Sequence, residues 1–420
     1  MHHSRAVVIG AGIGGLTAAA ALRRRGWSVT VLERATTLEP VGAGIGLAPN
    51  ALRALETIGL GDDVRALAAW QGDGGLRTPS GRWLSRTDST VMTERFGGPM
   101  VLLHRATLVE LLVSRLPEGC VRTGTPAQLA DPGTDGRPAL VSTDGEVLEA
   151  ELVIAADGVH SDVRRTLFPR HPGPEYTGLT AWRMVIPRPE TPFPPHETWG
   201  RGRLWGTQPM KDGRIYAYGS AVAPPGGRAP DDERAELLRL FGDWHQPVPG
   251  ILAAVTPRDI LRHDIWHMTR PLPAYHRGRV ALLGDAAHPM APTMGQGGNQ
   301  AIEDGVVLAH HLGDSSADLS SGLAAYTADR LPRTMDVVRR SDRAARMITL
   351  TGAASVALRN TAITAVGRLR PNLVLRTFDG VADWRPPGAA YPSGSGAGAR
   401  TGEPGAQGAR TDGGTDREAP

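Results

Sequence analysis

Cysteine and lysine are almost absent from this chain. Its 420 residues contain one cysteine, Cys120, and one lysine, Lys211. A single cysteine excludes an internal disulfide and offers no cysteine-based metal cluster. All but one of the 46 Lys and Arg residues are arginines. The pI is therefore high, about 9.3, although the formal net charge at pH 7 is only +3. No basic cluster alternates with aromatic residues, so the composition argues against a nucleic-acid partner.

Long apolar runs are also lacking. The apolar stretch Ile348 to Val366 is interrupted by Arg359 and several threonines, so it predicts a packed helix and no membrane partner. The first apolar run begins almost at the N-terminus without a small-residue cleavage site, which predicts a cytoplasmic protein. From about Pro386 onward Gly, Ser, Pro, Ala and Thr dominate. Such a composition cannot offset the entropy of ordering, so residues 386–420 are predicted to form a disordered tail.

Glycine, by contrast, is abundant, and the N-terminal segment places it in an ordered pattern. Ala6 to Ile9 predicts a strand and Leu16 to Arg25 a helix, with a GxGxxG motif between them. The motif glycines are Gly10, Gly12 and Gly15. Ser28 to Leu32 predicts the next strand, and Glu33 stands at its end. In such a unit the glycines allow a tight turn, close approach of a pyrophosphate and helix packing, and the acid binds a ribose. The segment predicts a dinucleotide-binding fold.

A second glycine-rich segment lies late in the chain. Val280 to Leu283 predicts a buried strand that ends at Gly284 and Asp285, and Asn299 to Leu312 predicts a helix. The loop between them contains Gly295, Gly297 and Gly298. A carboxylate can accept hydrogen bonds from a polyol, and glycines at a helix start let backbone N–H groups approach an anionic ring or phosphate. This segment predicts a large ligand that is polar at one end and partly anionic.

A third segment links a predicted strand, Glu151 to Ala155, to Asp157 and Gly158. The sequences GAGIGG, ADGVHSDVRR and GDAAHPMAPTMGQGGNQAIED together resemble the fingerprints of the single-component (group A) FAD-dependent aromatic monooxygenases. This is the family of the p-hydroxybenzoate and salicylate hydroxylases. Two lesser matches are VGAGIGLAPNALRALETIGL and LHRATLVELL. The resemblance covers roughly Ala6 to Arg346.

The resemblance implies an α/β (α+β) fold in which a discontinuous Rossmann-like FAD-binding domain carries an inserted β-sheet substrate domain. We assign residues 1–76, 100–170 and 278–346 to the FAD-binding domain, and residues 77–99 and 171–277 to the substrate sheet. Residues 347–385 are assigned to a C-terminal helical segment. Within the sheet domain, Tyr176 to Ile186, Arg201 to Thr207 and Arg214 to Ala221 predict strands, and Asp231 to Phe241 predicts a helix.

The resemblance also implies an activity. The chain is expected to use NADH or NADPH, noncovalent FAD and O₂ to hydroxylate a small aromatic or other electron-rich compound through a flavin C4a-hydroperoxide. The alternatives are a flavin dehydrogenase or reductase that inserts no oxygen, a flavin-dependent halogenase, and a non-catalytic FAD-binding module. The absence of a second GxGxxG motif argues against a dedicated nicotinamide-binding domain. A monomer or homodimer is expected.

Candidate cofactor contacts follow from the motifs and the resemblance. Asp285 is expected to bind the ribityl hydroxyls, Arg105 the flavin and its ribityl–phosphate chain, and Arg34 the adenine ribose. The complete set of predicted cofactor residues is Gly10, Gly12, Ile13, Gly14, Gly15, Glu33, Arg34, Gly44, Arg105, Asp157, Asp285, Gly295, Gly297 and Gly298. His288, within GDAAH, is interpreted as structural.

The substrate chamber is expected on the inserted sheet. Arg201, Arg203 and Trp205 share one face by alternation, as do Tyr216 and Tyr218, and Trp182 and Arg183 lie on the preceding strand. An arginine-and-aromatic lining suits a planar phenol or carboxylated ring. The candidate substrate residues are Arg203, Tyr216, Trp182 and Pro292, the last by resemblance on the side where oxygen reacts. His263 and His267 stand four apart, but DIW between them predicts a strand, so no metal is assigned.

Removing the predicted tail gives a simple test of that assignment. Truncation after about Pro387 should leave the melting temperature and the flavin content unchanged, because the removed residues offer no apolar surface that could dock. Thermal denaturation and the flavin absorbance of the purified proteins would measure both. A drop of several degrees would show that the tail packs against the body.

Overall fold

The computed structural model describes residues 4–38, 43–67, 69–70, 73–98, 100–187, 193–314, 318–369 and 375–388. The strands are β1 Arg5–Ile9, β2 Ser28–Leu32, β3 Gly44–Leu47, β4 Ala69–Trp70, β5 Gly74–Arg77, β6 Trp83–Thr87, β7 Val101–His104, β8 Val121–Arg122, β9 Ala127–Asp131, β10 Ala139–Thr143, β11 Val147–Ala150, β12 Leu152–Ala155, β13 Glu175–Pro187, β14 His196–Trp199, β15 Arg203–Pro209, β16 Arg214–Val222, β17 Leu261–His267, β18 His276–Arg277 and β19 Val280–Leu282. The helices are α1 Ile13–Arg24, α2 Pro49–Thr57, α3 Gly61–Leu67, α4 Ser89–Phe96, α5 Arg105–Val113, α6 Asp162–Leu167, α7 Glu233–Phe241, α8 Val248–Ala254, α9 Gly297–Leu312, α10 Leu319–Ile348 and α11 Ala353–Leu369.

A six-stranded sheet brings the sequence motifs together. Its order is β18-β19-β12-β1-β2-β8, and the strands from β19 to β8 are parallel. β12 and β19 are buried throughout and β1 after its first residue, as expected for parallel strands covered on both faces. Because parallel strands end at the same edge, the segments that follow β1, β2, β12 and β19 meet there although they are far apart in sequence.

A seven-stranded sheet, of order β17-β13-β16-β15-β14-β5-β6, forms the second layer. Its pairings are antiparallel except that of β14 with β5. One face packs against α7 and α8 through a cluster that includes Trp205 and Phe241. The opposite face contacts the loop residue Ala291 and the end of α10, at Ala345 and Ile348. The two faces of this sheet therefore have different neighbours.

Most of the predicted elements are confirmed, with shifts at their ends. The helix predicted from Leu16 begins at Ile13, because Gly14 and Gly15 belong to its first turn. The strand predicted from Arg201 begins at Arg203, because Gly202 adopts a φ of +63° in the turn before it. The short strand β14 and the helix α8 were not predicted.

The prediction of one packed helix over Ile348 to Val366 is corrected. α10 ends at Ile348, and α11 begins only at Ala353, so two helices meet in this stretch. Among the described residues, none of the helices has the length and apolar character needed to cross a bilayer. Of the predicted tail, only Pro386 to Gly388 are described; residues 389–420 lie outside the described part of the chain.

Candidate active site

The glycine-rich turn after β1 is shaped by close backbone contacts. A Cβ on Gly10, whose φ is +104°, would lie 2.4 Å from the Ala156 carbonyl oxygen, and a Cβ on Gly15 would lie 2.1 Å from the Gly10 oxygen. A Cβ on Gly12 would meet nothing within 4 Å. The first and third glycines are thus required by packing, whereas the second leaves the backbone accessible. This geometry fits a pyrophosphate at the start of α1.

Glu33, at the end of β2, is fixed beside this turn. Its carboxylate oxygens accept hydrogen bonds from the backbone N–H groups of Ala11, at 2.8 Å, and Ala35, at 2.9 Å. Each carboxylate oxygen can accept a further hydrogen bond, so the side chain can bind a ribose while it holds the turn. Arg34 follows it and is exposed.

Asp285 lies in the 3₁₀ turn Gly284–Ala286 that follows β19. Its side chain is exposed to solvent and yet enclosed by surrounding protein, as expected for a group that lines a deep cleft. Burial in the cleft raises the pKa of Asp285, although the positive charges of His288 and Arg105 oppose the shift. Arg105 begins α5 and lines the same cleft. A carboxylate and a guanidinium in one cleft suit the ribityl and phosphate groups of a flavin nucleotide.

The segment that contains Asp157 and Gly158 is held by its own hydrogen bonds, and the nearby Arg164 contacts the backbone at Asp285. Asp157 accepts the backbone N–H of Val163 at 3.1 Å, and its other oxygen is buried without a partner among the described residues. Arg164 donates to the carbonyl oxygens of Asp285, at 3.3 Å, and Ala286, at 2.9 Å. The position of Asp285 therefore depends on Arg164, a residue whose role the sequence analysis did not identify although it lies within the motif ADGVHSDVRR.

The third glycine segment forms a loop before α9. Pro292 is exposed at the start of the 3₁₀ turn Pro292–Met294, and Gly295 follows with a φ of +62°. Gly297 begins α9, and a Cβ on Gly298 would lie 2.9 Å from Cδ1 of Ile45. Gly297 and Gly298 are partly exposed, and the absence of a side chain at Gly298 leaves room for Ile45 at this helix start.

The two remaining predicted glycines serve packing. A Cβ on Gly14 would lie 2.7 Å from Cδ1 of Leu283, beside the buried Ile13. A Cβ on Gly44 would lie 2.5 Å from Cγ of Tyr216. The missing side chain of Gly44 therefore makes room for a ring from the seven-stranded sheet, and its contact with the cofactor stays a prediction.

A buried ionic network lies beneath this loop. Asp304 of α9 accepts hydrogen bonds from the Gly284 N–H, at 2.9 Å, and from Nε2 of His288, at 2.6 Å. Arg330 of α10 donates to Asp304 at 2.7 Å and to Glu303 at 2.6 Å, and all three side chains are fully buried. Although burial alone would raise it, His288 and Arg330 hold the pKa of Asp304 at about 2. This network fixes the segment that carries Asp285, and the interpretation of His288 as structural agrees with it.

The seven-stranded sheet presents a polar face to the cleft. Arg183 of β13 lies within interaction range of the Tyr216 hydroxyl on β16, and the charges of Arg105 and Asp285 lie close to this pair. Tyr216 and Tyr218 stack obliquely, with ring centroids 5.3 Å apart. This face also bears apolar residues that pack against Ala291, next to the predicted oxygen side at Pro292.

Two of the predicted substrate residues lie on the opposite face. Arg203 donates to the carbonyl oxygen of Leu240 and lies 5.8 Å from the ring of Trp244. Trp182 is buried and donates to Glu233 at 2.6 Å. The register places Trp182 and Arg203 level with residues that face α7 and α8, so the prediction that they line the substrate chamber is wrong. Tyr216, by contrast, lies on the face toward the cleft.

Comparison with known proteins agrees with this geometry. The family model described as an FAD binding domain matches residues 3–341. Aurachin C monooxygenase/isomerase of Stigmatella aurantiaca is 38% identical over 339 residues, which cover 80% of this chain and 88% of that protein. The 3-amino-4-hydroxybenzoate 2-monooxygenase of Streptomyces cremeus is also 38% identical, over 81% of this chain and 86% of that protein.

Solved structures show the same fold. The complex of Klebsiella pneumoniae HpxO with FAD and uric acid has a TM-score of 0.79 at 28% identity, over 90% of this chain and 96% of that one. The resemblance stated from the sequence and the predicted fold class are confirmed. The chain belongs to the family of FAD-dependent aromatic monooxygenases, and its cofactor is FAD.

Proposed function

We propose that this monooxygenase hydroxylates a planar aromatic compound whose anionic oxygen or carboxylate binds to Arg183 and the hydroxyl of Tyr216. The observation that carries the proposal is the Arg183–Tyr216 pair itself, on the sheet face that lies across the cleft from Asp285 and Arg105. A guanidinium and a phenol side by side favour a phenolate or carboxylate through charge-assisted hydrogen bonds. Proteins similar to this one act on urate and on 3-amino-4-hydroxybenzoate, which are compounds of this kind.

Different residues around the cleft bind the cofactor and shield the substrate from water. When bound, FAD accepts a hydride from NADH or NADPH and activates O₂. We propose that Asp285 holds the ribityl hydroxyls, that Arg105 binds the flavin and its ribityl–phosphate chain, and that the accessible start of α9 stabilises negative charge on the ring. The apolar residues near Ala291 would exclude water from the ring of the substrate.

Substrate-stimulated turnover tests this function against its closest alternative. Phenolic and N-heteroaromatic compounds should stimulate oxidation of NADH or NADPH by the FAD-loaded protein, and the product should gain one oxygen atom from ¹⁸O₂ by mass spectrometry. A flavin dehydrogenase would oxidise the nicotinamide without labelling a product, so unlabelled products throughout the panel would contradict the proposal.

Arg183 gives the sharpest test of the substrate position. Arg183→Ala should raise KM for an anionic aromatic roughly tenfold, about 1.4 kcal/mol, because one charge-assisted contact is lost while Arg105 remains nearby. Steady-state kinetics with constant FAD occupancy would measure the effect.

Arg203→Ala is the matched control, since Arg203 lies in the same sheet on the face that packs against α7 and α8. The KM of folded Arg203→Ala should differ less than about twofold from that of the wild-type protein. The reason is that Arg203 faces the helices, so its removal leaves the chamber intact. Equal effects in the two variants would mean that the sheet face toward the cleft does not bind the substrate.

Three further assignments stay predictions. They are the division into the FAD-binding and substrate domains with the boundaries given above, the cytoplasmic location, and the monomeric or homodimeric state.

A further inference from the structure

A row of side chains crosses the sheet face that looks into the cleft. The strand register places Arg183 opposite Tyr218, Tyr218 opposite Gly206, and Gly206 opposite Glu197. These residues belong to the successive strands β13, β16, β15 and β14, so the two ends lie three strand spacings apart, about 14 Å at the backbone. A cationic group therefore stands at one end of the row and a carboxylate at the other.

The absence of a side chain at Gly206 lets Tyr218 reach Glu197 across β15. A Cβ at Gly206 would lie 2.0 Å from Cζ of Tyr218 and 2.4 Å from its hydroxyl oxygen. Without that Cβ, the ring of Tyr218 crosses β15, and its hydroxyl donates to Oε1 of Glu197 at 2.6 Å. The Tyr218 hydroxyl also lies near Gln208. Its single proton is donated to Glu197, and Glu197 has lone pairs left that could accept further hydrogen bonds.

Glu197 can still accept hydrogen bonds. Its second oxygen accepts Nε1–H of Trp199 at 3.0 Å, and each carboxylate oxygen has a further lone pair. The side chain is only partly buried by its own surface area, yet protein surrounds it, as for Asp285 in the cleft. Burial raises the pKa of Glu197, while the donors Tyr218 and Trp199 oppose the shift. Trp199 and Tyr218 both pack against the apolar cluster that contains Ala291, so this end of the row lies on the same sheet face as Ala291.

We propose that Glu197 is a specificity-determining residue that selects aromatic substrates with an amino or ring N–H donor opposite their anionic group. This inference rests on the proposed function and names the class of its substrate. A carboxylate beside the bound ligand repels acidic groups of that ligand and favours N–H donors. An N–H group that leaves water and meets no acceptor loses a hydrogen bond at a cost, and Glu197 would supply that acceptor. Arg183 and Glu197 would then bind opposite ends of one planar molecule.

The test measures ligand binding without turnover. Protein loaded with FAD would be titrated with 3-amino-4-hydroxybenzoate and with 4-hydroxybenzoate, which differ by one amino group, and the Kd would be read from the change in flavin absorbance. The wild-type protein should prefer the amino compound by about tenfold. In Glu197→Gln the preference should fall to within about twofold, because the neutral amide is a weaker acceptor.

Two further variants make the result specific. Tyr218→Phe removes the donor to Glu197 and leaves one carboxylate oxygen free, so this variant should keep or increase the preference for the amino compound. It tests the proposal also when Glu197→Gln folds poorly. Glu236→Gln, at a partly exposed position of α7 where the side chain pairs with Arg239, is the control and should behave as wild type. A purely structural role for Glu197 would instead lower the melting temperature and leave the ratio of the two Kd values unchanged.

The outcomes distinguish the donor-selecting role of Glu197 from the hydroxylase function. Equal binding of the two compounds to the wild-type protein, or an unchanged preference in Glu197→Gln, would overturn the donor-selecting role while leaving the hydroxylase function in place. If no aromatic compound perturbs the flavin or stimulates NAD(P)H oxidation, the proposed function itself is contradicted.

Discussion

Arg330→Ala should lower the free energy of unfolding by about 3–5 kcal/mol. Arg330 is fully buried and donates to Asp304, Glu303 and the side-chain oxygen of Gln300, the last at 2.9 Å. Burial lowers the pKa of its guanidinium, but the two carboxylates raise it by more. Removing this side chain leaves two buried carboxylates short of a cation, and this uncompensated charge is the main cost. Urea denaturation of the FAD-free protein, followed by circular dichroism, would measure the change.

Arg339→Ala, in the same helix, is the matched control. Its side chain is half exposed and lies 4.0 Å from Asp336, so the expected loss is below about 0.5 kcal/mol. A loss below 1 kcal/mol in Arg330→Ala would mean that Arg333, which also contacts Glu303, takes over the pairing. The network would then be less important for stability than its burial indicates.

Asp285→Ala should release most of the FAD. If Asp285 holds the ribityl hydroxyls as proposed, the variant leaves them without their acceptor in an enclosed site, at a cost of roughly 1–3 kcal/mol for each unpaired group. With two hydroxyls affected, we expect the Kd for FAD to rise by about a hundredfold. Dialysis at micromolar protein followed by flavin absorbance would measure the occupancy, and titration of the FAD-free protein would give the Kd.

Asp62→Ala provides the control, because Asp62 is exposed on α3 and makes only a surface pair with Arg65. It should retain its flavin and its stability. Full FAD occupancy in Asp285→Ala would refute the role assigned to Asp285 and direct attention to Arg105 in the same cleft. Lower occupancy together with a lower melting temperature of the FAD-free protein would point instead to damage of the turn that Arg164 supports.

Local sequence patterns determined the dinucleotide-binding half of this protein. The strands that end at Ile9, Ala155 and Leu282 were found because parallel strands buried on both faces appear as continuous apolar runs. Their terminal groups, such as Asp285, could then be brought to one edge by topology alone. Arg330 could not be identified in this way, because its role depends on α10 packing against α9, and nothing in its own neighbourhood marks it as buried.

The sequence by itself determined the family, the FAD cofactor, the motifs and the three long strands β13, β15 and β16 of the inserted sheet. Only the tertiary structure decided which face of that sheet meets the cofactor. The alternation of side chains along the strands places Arg203 and Tyr216 on different faces of the sheet. It does not say which face meets the cofactor, since a period of two assigns residues to two faces without identifying what packs on either. Packing of α7 and α8 on the face of Trp205, and the space left at Gly44 and Gly206, settled the orientation.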